Sequence, residues 1–199
     1  LVYAQAEVWK NFSPIYAGEP GELTQDGITY HYITGEGFAT VIKGDAEALK
    51  DQDVTIPSEI KADGVTYSVK VIEDNAFRYV YMNSLTIKPG VEKIGNGAFS
   101  SSYYLKEIVI PEGVKAIGEG AFQHCGLNRI DLPSTLTTIG DYAFANNSYL
   151  ETVVTRMEAP CSLSENAFAV SKYIDEVWKE VFTSATLFVP SGKKETYKN

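Results

Sequence analysis

The chain has 199 residues, with 17 Lys+Arg against 26 Asp+Glu, a net charge of −9 and a pI near 4.8. So acidic a surface repels phosphate, which argues against a nucleic-acid partner and against electrostatic docking on anionic lipid. With 44% hydrophobic and 22% charged residues the composition is that of a folded chain, and 13 Tyr and 9 Phe against 2 Met favour strands.

Ala4 to Phe12 reads as a short helical stretch with Val8, Trp9 and Phe12 on its apolar face. Pro14 to Gly21, with two prolines and two glycines, reads as a linker. Residues 1–21 are therefore expected to be the tail of a preceding module plus a linker. Gly27 to Ile33 and Phe38 to Ile42 alternate apolar and polar residues around Gly35-Glu-Gly37, the pattern of a β-hairpin. Residues 22–70 are read as an N-terminal β cap and first strand, Val54-Thr55-Ile56-Pro57, with Ser58 to Val71 as an insertion. No apolar run of ~18 residues and no initiator Met or signal peptide is present, so the chain is expected to be a piece of something longer.

Residues 71–190 are periodic. An Ala-Phe pair recurs at Ala76-Phe77, Ala98-Phe99, Ala121-Phe122, Ala143-Phe144 and Ala167-Phe168, with phenylalanines 22, 23, 22 and 24 residues apart. Five residues before each Phe stands an aliphatic: Ile72, Ile94, Ile117, Ile139 and Leu163. Gly95, Gly118 and Gly140 follow three of them. Between the phenylalanines run short alternating segments, Leu85-Thr86-Ile87, Ile108-Val109-Ile110, Ile130-Asp131-Leu132 and Val153-Val154-Thr155, often closed by proline. A three-residue strand cannot stand alone, but stacked copies form a parallel sheet at ~4.8 Å per rung. Each Phe then fills the same slot, and the rings are expected to stack into a spine. Two residues before Phe stand Asn75, Gly97, Gly120, Tyr142 and Asn166, which predicts a backbone with positive φ; Tyr142 breaks the rule. Leu187-Phe188-Val189-Pro190 closes a longer, degenerate fifth unit, giving about five repeats.

The cleanest copy reads Ile94-Gly-Asn-Gly-Ala-Phe99, Leu105, Ile108-Val-Ile-Pro111. This motif resembles the leucine-rich repeats of the BspA-like family of bacterial surface proteins, over roughly residues 54–190. Phe122-Gln-His-Cys125 also resembles that family's cysteine three residues after Phe, a buried position. The implied fold is a leucine-rich-repeat solenoid, mainly β, with an N-terminal β-hairpin cap. The resemblance implies a bacterial extracellular or cell-surface location and adhesion to host or bacterial surface proteins.

Residues 191–199 read as the start of a truncated C-terminal capping helix, while residues 1–12 read as the end of such a helix. The last rung is then expected to leave Leu187 and Val189 poorly covered. Trp9 and Phe12 either dock there from a neighbouring molecule, as weak head-to-tail self-association, or fold back onto their own hairpin cap.

Catalytic motifs are missing. Two histidines leave little for acid–base work, and no nucleophile elbow, P-loop or His-Glu-x-x-His occurs. Gly95-Asn-Gly97 and Gly118-Glu-Gly120 imitate a dinucleotide fingerprint but belong to the repeat. Asp51-Gln-Asp53 reads as a solvated loop, and Cys125 with His124 makes no zinc site, so neither metal nor cofactor is expected. Cys125 and Cys161 lie about two rungs apart, ~9–10 Å along the stack and too far to bridge, and are expected to be free thiols.

Two surfaces remain as binding faces. Outward strand positions form two stripes: Thr55, Thr86, Val109, Asp131, Val154 and Phe188, and beside them Asp53, Ser84, Glu107, Arg129, Thr152 and Thr186. Four to five residues after each Phe come Tyr81, Tyr103, Tyr104, Tyr149 and Tyr173, expected to form one exposed column. Those tyrosines either bind a ligand or merely cover Leu105 and Leu150. The expected function is a non-catalytic repeat module binding proteins, the alternatives being a surface glycan-binding component or a structural spacer with no ligand.

Overall fold

Asp-Gly pairs set the first turns of the chain. The computed structural model describes residues 18–174, 177–182 and 184–197. Strands β1 (Pro20–Gln25), β2 (Ile28–Ile33) and β3 (Phe38–Gly44) form an antiparallel meander. Asp26 and Gly27 between β1 and β2 have φ of 51° and 74°, the positive pair that a two-residue hairpin with native twist demands. Pro20 and Gly21 thus open an edge strand, paired with Ile33 and Tyr32, instead of ending a linker. Proline is tolerated there because the first residue of an edge strand needs no ladder N–H. The expectations for residues 1–13, including the docking of Trp9 and Phe12, lie outside the described residues.

After β4 (Asp53–Ile56), the insertion folds as a second hairpin, β5 (Glu59–Ala62) and β6 (Val65–Ile72), turned by Asp63 and Gly64 with φ of 51° and 76°. Strand β6 lies parallel to β3, so the cap joins the repeats through a continuous sheet.

Thereafter a longer strand alternates with a two-residue one. The order is β7 (Ser84–Ile87), β8 (Lys93–Ile94), β9 (Glu107–Val109), β10 (Ala116–Ile117), β11 (Arg129–Leu132), β12 (Thr138–Ile139), β13 (Thr152–Thr155) and β14 (Ser162–Leu163). An antiparallel hairpin, β15 (Ala169–Ile174) and β16 (Val177–Phe182), precedes β17 (Thr186–Phe188) and makes the fifth unit longer. One side of the solenoid carries the parallel order β9-β11-β13-β17 beside the pair β4-β7. The other carries β1-β2-β3-β6-β8-β10-β12-β14. The aliphatic five residues before each Phe is therefore itself a strand residue, and the periodic region has two parallel sheets where the sequence pattern showed one. Where the capping helix was expected, Lys194–Tyr197 makes a single 3-10 turn. Leu187 is 49% exposed and Val189 half-buried at this last rung.

The Phe spine runs between the sheets. Phe77, Phe99, Phe122, Phe144 and Phe168 stack with centroids 5.0, 5.0, 5.4 and 5.2 Å apart and planes within 12° of parallel. The spine ends at Gly44, whose N–H donates to the Ala76 carbonyl as a further rung would. A Cβ on Gly44 would strike the Phe77 ring, so only glycine caps the stack there.

Three residues after Phe99, Phe122 and Phe144 the side chain turns inward and meets the preceding rung's Phe carbonyl. The Ser102 hydroxyl reaches Phe77 O at 3.4 Å and the Cys125 thiol reaches Phe99 O at 3.1 Å. Asn147, 1% exposed, does more. Its Nδ2 donates to Phe122 O (2.9 Å) and Phe144 O (2.8 Å), while its Oδ1 accepts from the N–H groups of Cys125 (3.1 Å) and Leu127 (3.0 Å).

Two stability outcomes are expected. Phe122 is fully buried between two rings, whereas Phe168 is half-buried with one stacked neighbour. Phe122→Ala is expected to cost ~3–5 kcal/mol and Phe168→Ala clearly less, read as urea midpoints; equal shifts would refute a graded spine. Asn147→Ala strands four buried backbone groups at once. It is expected to cost at least ~3 kcal/mol, although it removes little apolar surface.

Candidate functional site: the tyrosine turn

Each turn after a Phe is built the same way. Tyr79, Ser101, His124 and Asn146, two residues after Phe, all have φ between 57° and 65°. This second left-handed position reverses the chain. The residue after it turns inward, and Met82, Leu105, Leu127 and Leu150 then anchor the turn in the core. Residues between these two inward points have nowhere to go but outward.

The number of such residues differs between rungs. The first repeat has one, Tyr81; the second has two, Tyr103 and Tyr104; the third has only Gly126; the fourth has Ser148 and Tyr149. Tyr81 lies 6.0 Å from Tyr103 and 5.8 Å from Tyr104, ring centroid to ring centroid. These three form one aromatic patch, with Tyr103 48% and Tyr104 53% exposed. The expected single column breaks at Gly126, where φ is +80° and a Cβ would lie 2.6 Å from the Tyr103 carbonyl oxygen. Tyr149, 72% exposed, stands beyond the gap, with the Lys106 ammonium 6.0 Å from its ring centroid. Tyr173 does not join either, because it falls in β15, paired with Trp178 of β16. Its side chain lies outside what is described.

The strand stripes are in the expected register. Thr55 pairs with Thr86, Asp131 with Val109 and Val154, and Val154 with Phe188. Val109 and Phe188 are 56% and 53% exposed, and Arg129 forms an ion pair with Asp131 at 2.9 Å. This face is mixed, whereas the tyrosine patch concentrates one residue type.

Nucleophilic chemistry finds little footing among the described residues. Burial pushes the Cys125 thiol up to about 12, against its ordinary value near 9, and also raises Cys161. Buried and held protonated, Cys125 is neither nucleophile nor metal ligand. The described residues contain no group of three or more His, Cys, Asp or Glu placed to hold a metal ion.

Residues 70–182 match, in six copies, the family model described as BspA type leucine rich repeat region. The chain belongs to the BspA-type leucine-rich repeat family. Solved structures agree. A leucine-rich repeat protein from Bacteroides ovatus is 29% identical over 66% of this chain and 40% of its own, with a TM-score of 0.53. One from Bacteroides capillosus is 25% identical over 68% of this chain and 98% of its own, TM-score 0.61. The T. pallidum leucine-rich repeat protein is 25% identical over 74% of this chain and 66% of its own, TM-score 0.63. This BspA-type chain thus spans less than half of the first of these and nearly all of the second. No curated protein matches it.

Both cysteines of this BspA-type domain are free, Cys125 buried and Cys161 half-buried. In the native protein a thiol reagent is expected to label Cys161 and leave Cys125 untouched. After denaturation without reductant both label; a single labelled thiol at that stage would contradict the assignment.

Proposed function

We propose that this domain is a non-catalytic binding module, displayed on a bacterial surface or secreted, that engages a host or bacterial surface protein through the turn bearing Tyr81, Tyr103 and Tyr104. The observation that carries the reading is the contact of three tyrosine rings across two rungs, with Tyr103 and Tyr104 half exposed. Tyrosine offers a stiff, broad apolar face and a polar tip, and it is enriched where proteins bind. Lys106 and Tyr149 extend the patch along the same edge. Tyr149 is 72% exposed beside buried Leu150, so most of its ring covers nothing.

The double variant Tyr103→Ser/Tyr104→Ser tests the reading against immobilised extracellular-matrix and bacterial surface proteins. The melting midpoint is expected to stay put while retention falls ~100-fold or more. Parallel loss of stability and binding would make the tyrosines structural. Retention of no protein by the unaltered domain would leave a spacer and overturn the proposal.

A further inference from the structure

A second surface is built at the Ala-Phe corner. Asn75, Gly97, Gly120 and Tyr142 stand two residues before successive phenylalanines, with φ between 53° and 59°. A groove of about 450 Å³ follows them along the solenoid. Gly97 and Gly120 leave its floor as bare backbone, Arg78 and Asn75 stand toward one end, and Tyr142 stands at the other. Ser100, Gln123 and Glu119 complete the lining.

Polar side chains elsewhere on this corner are occupied with each other. Asp74 accepts from the Asn96 N–H (2.7 Å) and Nδ2 (3.1 Å), Asn96 Oδ1 accepts from the Glu119 N–H (2.8 Å), and Asp141 accepts from the Ser164 hydroxyl (2.7 Å). The groove differs. The side chains of Asn75, Ser100, Glu119 and Gln123 make no hydrogen bond or ion pair among the described residues. Ser100 is only 7% exposed as a residue, and its hydroxyl opens on the groove without a protein partner.

We propose that this groove binds a neutral linear oligosaccharide. Amides, a hydroxyl, a carboxylate and a guanidinium around one groove suit vicinal diols, which donate and accept at neighbouring positions. The Tyr142 ring supplies a face for the C–H side of a sugar ring. Both signs of charge are present in Arg78 and Glu119, so neither an anion nor a cation gains from the whole lining. Spacing agrees as well: rungs repeat at ~4.8 Å, close to the ~5 Å repeat of a β-linked sugar chain, so successive sugars meet equivalent backbone floors. Asn75 to Tyr142 spans three rung steps, ~14 Å, the length of about three sugars.

The test uses the full chain with cellotetraose, chitotetraose, xylotetraose and tetragalacturonate as probes, followed by saturation-transfer NMR and calorimetry. At least one neutral probe is expected to saturate the domain below ~10 mM, and the anionic one to bind more weakly. Glu119→Ala/Gln123→Ala removes two side chains without internal partners and is expected to weaken that binding at least about tenfold at an unchanged melting midpoint. Tyr142→Asn places at this corner the residue type that Asn75 already carries, and is expected to weaken binding as much while the melting midpoint holds or rises. Tyr103→Ser/Tyr104→Ser is expected to leave sugar binding intact, which separates this site from the tyrosine patch. Absence of saturation by all three neutral probes, or equal binding by both groove variants, overturns the proposal.

Discussion

Everything in this molecule follows from two spacings that nearly coincide. Stacked phenyl rings repeat at 5.0–5.4 Å, and hydrogen-bonded parallel strands repeat at ~4.8 Å. One chain satisfies both only when each rung retraces the path of the last. The backbones then approach so closely that side chains are forbidden at some positions. At Gly95, Gly118 and Gly140 a Cβ would lie 2.6–2.7 Å from backbone atoms of the preceding rung. That proximity, and no left-handed φ, explains these three glycines. The corner amides complete the argument, with Phe77, Phe99, Phe122 and Phe144 donating to Ala98, Ala121, Ala143 and Ala167. The spine and the ladder are one interaction seen from two sides.

In-register stacking also brings every surface residue beside its counterpart one repeat on. Identical charges in a column repel at each step, and at several positions this chain interposes an opposite or neutral residue. Glu92 sits between Lys70 (3.1 Å) and Lys115 (2.7 Å), and hydrogen bonds from Lys115 and then Lys70 hold its carboxyl below the usual range. Neutral Asn96 separates Asp74 from Glu119 and binds both neighbours. In the next column Glu112 accepts from Ser134 and from Arg156 at 3.0 Å. Exposed pairs of this kind each contribute at most ~1 kcal/mol. Their larger effect is to relieve self-repulsion locally in a chain of net charge −9, although Glu119, Asp141 and Glu165 still follow one another in the Asn96 column.

The periodic features were legible in the sequence because periodicity is imposed by packing. Five Ala-Phe pairs and the aliphatic before each report slots that admit one shape. The hairpins β5–β6 and β15–β16 were hidden because they occur once each and carry no repeat signal. In the first, Asp63-Gly64 between alternating residues was nevertheless the sign of a tight turn, as Asp26-Gly27 was for β1 and β2. The second left-handed corner position was invisible for another reason: Tyr79, Ser101, His124 and Asn146 share no side-chain property, and their φ is set by the rung geometry. Asn147 carries no signal of its own in the sequence. Its role appears only once Val80, Ser102 and Cys125 are aligned with it as one inward column. As for the tyrosines, their sequence distance from Phe was right but their grouping was not. The third repeat offers only Gly126 at this turn, with no side chain to continue the column, and this interrupts what counting from Phe made continuous.

Positions that the scaffold leaves undecided are where recognition has room to evolve. The outward turn residues lie outside the repeating core, and tyrosine recurs among them in the first, second and fourth repeats. Tyr142 makes the stronger case. Its backbone needs φ of +53°, a conformation that costs an ordinary side chain ~1–2 kcal/mol and that Gly97, Gly120 and Asn75 adopt with less strain. The spine would stack equally well over asparagine or glycine at this corner. A bulky aromatic residue thus holds an unfavourable backbone conformation at the end of the groove, where a residue with less strain would serve the turn.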